Sequence, residues 1–188
     1  MVSLTTPPGR IGWKAAPFEL TGTDGLRHSP DSARGPNGLV VMFICNHCPY
    51  VKAVIERIVT DMRALAALGV GSIAVMSNDP TEYAEDSFEN MKAEAARRGF
   101  PFPYVWDPTQ EVARAYGAVC TPDFFGFDAT GELQYHGRLD DSGRSPKPGA
   151  KRELFDAMAA IARTGKGPAV QHPSIGCSIK WRADQPGK

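Results

Sequence analysis

The sequence predicts an α/β fold with a central mixed β-sheet flanked by helices, and three stretches carry that prediction. The first is the apolar, β-branched-rich run Leu39–Ile44, which suits a strand buried on both faces. From Val51 the apolar positions change to helical spacing, with Val51, Val54, Ile55, Ile58, Val59, Met62 and Leu65 on one side. The second is Val70–Met76, again apolar. A strand, a helix and a strand within about 40 residues make a right-handed βαβ unit, hence a parallel strand pair. The third is Phe124–Asp128, the turn Ala129-Thr130-Gly131 and Leu133–Leu139, which read as an antiparallel hairpin and make the sheet mixed.

The remaining elements follow in order. Residues 1–16 have no period and are expected to be an irregular lead-in. Phe18-Glu19-Leu20, the turn Thr23-Asp24-Gly25 and Leu26-Arg27-His28 predict an N-terminal β-hairpin. Ser29–Gly38, rich in Pro, Gly, Ser and Asp, is expected to be a surface loop, and Gly69 to stop the first helix. Asp79-Pro80-Thr81-Glu82 and Asp107-Pro108-Thr109-Gln110 share one grammar: an Asp N-cap, Pro at N1, and Glu or Gln at N3. They predict one helix from there to about Arg98 and a shorter one ending at Gly117. With Phe102–Trp106 as a short strand between them, this is an extra helix–strand insertion. Residues 150–164 make a last helix, with Leu154, Phe155, Met158 and Ile161 on its apolar side. Residues 1–164 are read as a single domain. The tail, 165–188, carries Ile175, Cys177, Ile179 and Trp181 and is expected to pack back on it.

Composition narrows the function. The 188 residues carry 42% hydrophobic and 22% charged side chains and no formal net charge, as in ordinary globular proteins. A nucleic-acid or polybasic membrane role is disfavoured, and no apolar run approaches a membrane span. Met1–Lys14 contains Pro7, Pro8 and Gly9 and lacks the apolar core of a secretory signal, so a cytoplasmic location is expected. There, four cysteines are catalytic or metal-binding sooner than structural disulfides.

Cys45-Asn46-His47-Cys48 sits where the buried strand ends and the first helix begins. A helix start offers unpaired N–H groups and the positive end of the dipole, both of which favour a thiolate. A dithiol redox site is the expected chemistry, with Cys45 the exposed attacking thiol and Cys48 buried one turn into the helix, placed to close a 45–48 disulfide. His47 can add a positive charge or a donor beside Cys45. Zinc would require a second paired set, which the isolated Cys120 and Cys177 and the scattered His28, His136 and His172 do not supply. Two thiolates and an imidazole would suit copper, so a non-enzymatic copper-delivery role stays open. Dithiol exchange itself needs no cofactor.

The chain resembles the thioredoxin superfamily, and within it the redoxin branch (AhpC/TSA-like) that holds peroxiredoxins and thiol:disulfide reductases. The resemblance runs from Phe18 to about Ile161. It rests on the Phe-x-Leu and Asp-Gly turn, the strand–Cys-x-x-Cys–helix core, the insertion between about 80 and 106, and Val119-Cys120-Thr121-Pro122 ahead of the Phe124 strand. The sequence is similar in particular to uncharacterised peroxiredoxin-like proteins through Phe43–Val51, Cys120–Asp123 and Pro173–Cys177. The resemblance implies a thioredoxin-like fold, a cis peptide before Pro122 packed against the dithiol, and a Thr121 backbone that binds the extended chain of a partner. Asn46 is placed with Thr121 as a substrate-binding residue. A Pro-x-x-x-Thr-x-x-Cys peroxidase signature aligned on Cys48 would put Val41 at the Pro and Cys45 at the Thr, and the activating Arg is replaced near Pro122-Asp123.

Thiol:disulfide exchange with a protein or a low-molecular-weight thiol is therefore the expected activity, with a thiol-dependent peroxidase as the alternative. Cys120 and Cys177 are either accessory relay or resolving thiols or small packing residues. Arg138, Asp140 and Asp141 are expected at the surface or in a turn.

Overall fold

The computed structural model describes residues 3–183. In chain order the elements are β1 (Ser3–Thr5), β2 (Leu20–Gly22), β3 (Arg27–His28), α1 (Pro30–Ala33), β4 (Gly38–Phe43), α2 (Pro49–Ala66) and β5 (Val70–Met76). There follow α3 (Phe88–Arg98), β6 (Tyr104–Trp106), α4 (Glu111–Tyr116), β7 (Cys120–Thr121), β8 (Asp123–Phe127), β9 (Leu133–Gly137), α5 (Glu153–Thr164) and β10 (Ile175–Ser178). Among the described residues they build a seven-stranded sheet, ordered β3-β2-β6-β5-β4-β8-β9, and a three-stranded sheet, β1-β10-β7. No helix among them is long and apolar enough to cross a membrane.

The large sheet is mixed, as expected. β4 pairs parallel with β5 and antiparallel with β8, and β5 pairs parallel with β6. Every residue of β4 is buried, and its alternation sorts side chains into two cores. Val40 and Met42 meet α2 and α5 on one face, while Leu39, Val41 and Phe43 meet Tyr116, Phe125 and Phe127 on the other. The helical spacing read from Val51 onward holds throughout α2, where every one of those apolar positions is buried. The N-terminal hairpin forms as β2 and β3.

Four local expectations change. The lead-in of residues 1–16 is not wholly irregular, because Ser3–Thr5 pairs antiparallel with β10 as β1. Ser29–Gly38 contains a helical turn, α1, because Ser29 and Ser32 cap each other reciprocally through side chain and backbone. Asp79 is not an N-cap: its carboxylate accepts from the Thr81 amide and hydroxyl in a turn, a 3-10 turn spans Ala84–Asp86, and the helix starts at Phe88 under a Ser87 cap. Asp107 lies below the start of α4 and accepts from the Ser77 hydroxyl and the Ala113 amide. The N-cap there is Gln110, in the left-handed region at φ 61. Its side chain reaches the carbonyls of Ser77 and Lys180 and accepts from the Arg182 amide.

After α5 and Gly165 the chain crosses the domain without regular structure until Ile175, where β10 enters between β1 and β7. The last residues of the expected tail, 184–188, lie outside the described residues.

The end of α1 rests directly on β5. A Cβ at Gly71 would stand 1.8 Å from the Ala33 carbonyl oxygen and 2.6 Å from the Gly35 nitrogen, both backbone atoms that cannot swing away. Gly71→Ala is therefore expected to destabilise the chain by about 1–3 kcal/mol or more. Urea unfolding checks this, and an unchanged midpoint would contradict the close approach.

Candidate active site

Because β4 runs through the middle of the sheet, the chain leaving its end is held between β5 and β8 before it turns into α2. Cys48 is the N-cap residue of α2, with φ −65 and ψ 123, and Pro49 takes the first helical position, where its missing N–H is no loss. Opposite lies β7, followed by the Thr121–Pro122 peptide, which is cis.

The Cys-Asn-His-Cys loop is organised by Asp86, a carboxylate with no exposed surface. One oxygen accepts from the Asn46 and His47 amides at 2.8 and 3.0 Å. The other accepts from His47 Nδ1 at 2.5 Å and from Asn78 Nδ2 at 2.8 Å. Burial pushes the Asp86 carboxyl up, but donation from the His47 ring and from Asn78 outweighs it and holds the group below its ordinary range. The His47 ring is stacked on Tyr83, centroids 4.0 Å apart. Asn78 also accepts from the Lys180 amide at 2.9 Å, which ties the loop to the chain just past β10.

All four cysteines are buried. Cys45 Sγ lies 3.2 Å from Thr121 Oγ1, while Cys48 Sγ lies 3.3 Å from the Thr121 carbonyl oxygen and 2.7 Å from Cys177 Sγ. The three sulfurs ionise unequally. Burial, donation to Cys48 and the nearby Asp86 charge push Cys45 well up. The Cys45 thiol donating to Cys48, with the Cys177 thiol and the Val51 amide at the helix start, outweighs burial and brings Cys48 down to about 5. Burial and donation to Cys48 push Cys177 up. Burial also raises Cys120, which lies opposite Ser178 in the β7–β10 pair.

One expectation changes: neither thiol of the pair is open to solvent, Cys45 at 1% exposure and Cys48 at 0%, and the hydrogen bond between them favours the charge on Cys48. His47 is buried, and its Nδ1 donates a hydrogen bond to Asp86 rather than to Cys45. The Asn46 amide is engaged at both ends, donating to the Glu85 carbonyl and accepting from the Tyr104 hydroxyl. Thr121 and Pro122 stand beside the dithiol, and the Thr121 backbone edge is covered by β10, with Cys177 directly opposite. Arg138 pairs with Glu153 and Asp140 with Arg57. Asp86 falls inside the helix that the Asp79-Pro80 start predicts, and nothing in its local sequence marks it as a site residue.

Beside Pro122 opens a cavity of about 280 Å³ walled by Tyr50, Val54, Phe124, Arg138 and Ile175, among others. On the other side, atoms of Cys45, His47 and Asp86 lie within 4.8 Å of one another. Both Asp86 oxygens there are already filled by two donors each, and a metal would have to displace them.

The family model described as AhpC/TSA matches residues 11–136. No curated protein matches the chain. Among solved structures, an uncharacterized conserved protein from Geobacillus kaustophilus is 42% identical with a TM-score of 0.90, over 97% of this chain and 98% of that one. A hypothetical protein from Sinorhizobium meliloti 1021 is 36% identical with a TM-score of 0.88, over 95% and 98%. A thiol:disulfide interchange protein of the thioredoxin family from Chlorobium tepidum TLS shares 21% identity at a TM-score of 0.60, over 83% of this chain and 99% of that one, which shows a common fold.

Two measurements test the electrostatics. Thiolate ultraviolet absorbance of the reduced chain is expected to rise around pH 5 and to lose that step in Cys48→Ala. Since the folded value lies below the unfolded value of about 8.5, this ionisation stabilises the reduced fold fully above the unfolded value, and the gain is lost as pH falls toward about 5. A first thiolate step that survives Cys48→Ala unchanged would contradict the assignment. Asp86→Ala leaves the His47 ring, two loop amides and Asn78 without their acceptor, at an expected cost of about 3–5 kcal/mol. The same variant removes one of the influences that raise Cys45, while burial and the bond to Cys48 remain, so its thiol moves down and unfolding and thiolate titration must both respond.

Proposed function

The chain belongs to the AhpC/TSA family, in the redoxin branch of the thioredoxin superfamily, and from that premise we propose a thiol:disulfide oxidoreductase that exchanges disulfides with a partner through Cys45 and Cys48. Membership makes it an oxidoreductase of the redox-thiol kind. The finer reading rests on one observation: the two thiols of the Cys-x-x-Cys loop flank Thr121 at a helix start, Cys45 Sγ 3.2 Å from its hydroxyl and Cys48 Sγ 3.3 Å from its carbonyl oxygen.

In this reading the Cys48 thiolate attacks one sulfur of a partner disulfide, and the other partner sulfur leaves as a thiolate. Cys45 then gives up its proton and attacks the Cys48 sulfur. The 45–48 bond forms, the mixed disulfide breaks, and the partner departs reduced by two electrons while the chain is oxidised by two. Run in reverse, the same steps oxidise a dithiol. The partner is a protein bearing a disulfide or a low-molecular-weight thiol, in the cytoplasm. The cavity beside Pro122 would take its side chains.

The alternative is a thiol-dependent peroxidase, favoured by the acidic Cys48 and the family. Against it, Val41 faces the core on the far side of the sheet, and Cys45 stands where a peroxidase signature would place a threonine. Incubation of the reduced chain with oxidised glutathione, followed by acid quench and peptide mapping, should yield a peptide spanning 35–52 that is lighter by two hydrogens. The Cys45→Ser, Cys177→Ser double variant should instead hold glutathione on Cys48. No 45–48 link, with peroxide consumption orders of magnitude faster than a free thiol's, would move the assignment to the peroxidase.

A further inference from the structure

A sulfur from outside the Cys-x-x-Cys pair lies against Cys48. Cys177 Sγ stands 2.7 Å away, carried by a strand 129 residues further along the chain. That strand is seated deliberately. β10 runs antiparallel to β7 with Cys177 opposite Thr121 and Ser178 opposite Cys120, and the Ile179 amide donates to the Val119 carbonyl at 3.0 Å. Gly176 is required for so close an approach: a Cβ there would meet the Thr121 carbonyl oxygen at 2.0 Å and the Pro122 nitrogen at 3.1 Å. Past the strand, the Lys180 amide is held by Asn78 and its carbonyl by Gln110. On the outer side β1 adds three further register pairs. β10 thus covers the backbone edge of Thr121 as a bound extended peptide would, and presents a cysteine to Cys48.

Building on the dithiol reading above, we infer that Cys177 is a third redox-active thiol, which takes Cys48 over from Cys45 and converts the 45–48 disulfide into a 48–177 disulfide that closes β10 over the site. In this step Cys177 gives up its proton and attacks the Cys48 sulfur. The 48–177 bond forms and the 45–48 bond breaks, so Cys45 leaves as a thiolate and takes up the proton that Cys177 released. Nothing is oxidised or reduced overall, and no outside reagent enters. The surroundings favour the exchange at each sulfur. In the 45–48 state the Cys48 negative charge that opposes ionisation of Cys177 is gone, while the attraction of Lys180 for the Cys177 thiolate remains. The Thr121 hydroxyl, 3.2 Å from Cys45 Sγ, can donate to the departing sulfur. A dithiol partner reopens the 48–177 bond and restores the reduced site.

The test is peptide mapping of the unaltered full chain, oxidised in a glutathione redox buffer, quenched in acid and cleaved with trypsin. A 45–48 disulfide stays within the peptide spanning 35–52, whereas a 48–177 disulfide joins it to the peptide spanning 167–180. Both species are expected, in proportions that do not change whether equilibrium is approached from the reduced or the oxidised side. Cys45→Ser should carry the joined peptides alone. Gly176→Ala changes no cysteine but pushes β10 off Thr121, and should cut the joined peptides about tenfold or more, with circular dichroism confirming the fold. If the oxidised chain and Cys45→Ser both lack the joined peptides while the 45–48 form is present, the inference fails and the dithiol reading stands. If the joined peptides form but no 45–48 disulfide is found, exchange from Cys45 is wrong and the dithiol reading falls with it.

Discussion

The site depends on one buried carboxylate. A buried carboxylate is costly unless its lone pairs are filled, and Asp86 fills them with two successive amides of the Cys-x-x-Cys loop, a ring nitrogen of the residue between the cysteines, and Asn78. The same four bonds fix the loop's path into α2 and therefore the placement of both sulfurs. They also decide the chemistry. Burial, the bond to Cys48 and then the Asp86 charge raise Cys45, while donation from Cys45 and Cys177, helped by the Val51 amide at the helix start, lowers Cys48. Moving Asp86 out of the interior of a helix is what makes this possible. Ala84–Asp86 forms a 3-10 turn, and the helix begins only after Ser87, leaving the carboxylate free to reach back.

A second constraint comes from the chain ends. β1 and β10 are joined in one small sheet, and β7 links that sheet to the dithiol. The residues around Cys48 thus come from three distant segments, and the site exists only when all three are in place. Asn78 sits at the junction, donating to Asp86 and accepting from the backbone of Lys180, so the position of the loop and the seating of the tail are coupled through one amide side chain. β10 is narrow, and its outer partner β1 is exposed along its length. A segment with so little apolar burial opens at lower free energy than the central sheet, which gives buried thiols a route to solvent without unfolding the core.

Much of this was legible in the sequence where periodicity was strong and little where a single side chain decided. Leu39–Ile44, the helix from Val51 and Val70–Met76 could be read because burial on both faces of a strand and one face of a helix leaves a regular trace. Asp79-Pro80 and Asp107-Pro108 had the composition of helix starts, yet their carboxylates serve turns and a neighbouring strand. Local grammar records which bonds a residue can make locally and is silent on the long-range partner that outbids them. Asp86 had no trace, since its partners at Asn46 and His47 lie some 40 positions earlier. The burial of Cys45 left no trace for the same reason, since it depends on chain that folds over the loop from distant positions.

The burial of three sulfurs together limits what the site can be. Each negative charge placed in such a pocket opposes the next, so the reduced site supports one thiolate, and the two neighbouring thiols are its hydrogen-bond donors. That arrangement stabilises the reduced state by giving the charge two partners, and each donor stands within reach of the sulfur it stabilises. A pair of thiols can only open or close. Three around a single thiolate can pass the bond between two positions, one internal to the helix start and one pinning a strand, and Asp86 biases that choice by disfavouring a free thiolate on Cys45. The carboxylate that shapes the loop thus also weighs the two disulfides against each other.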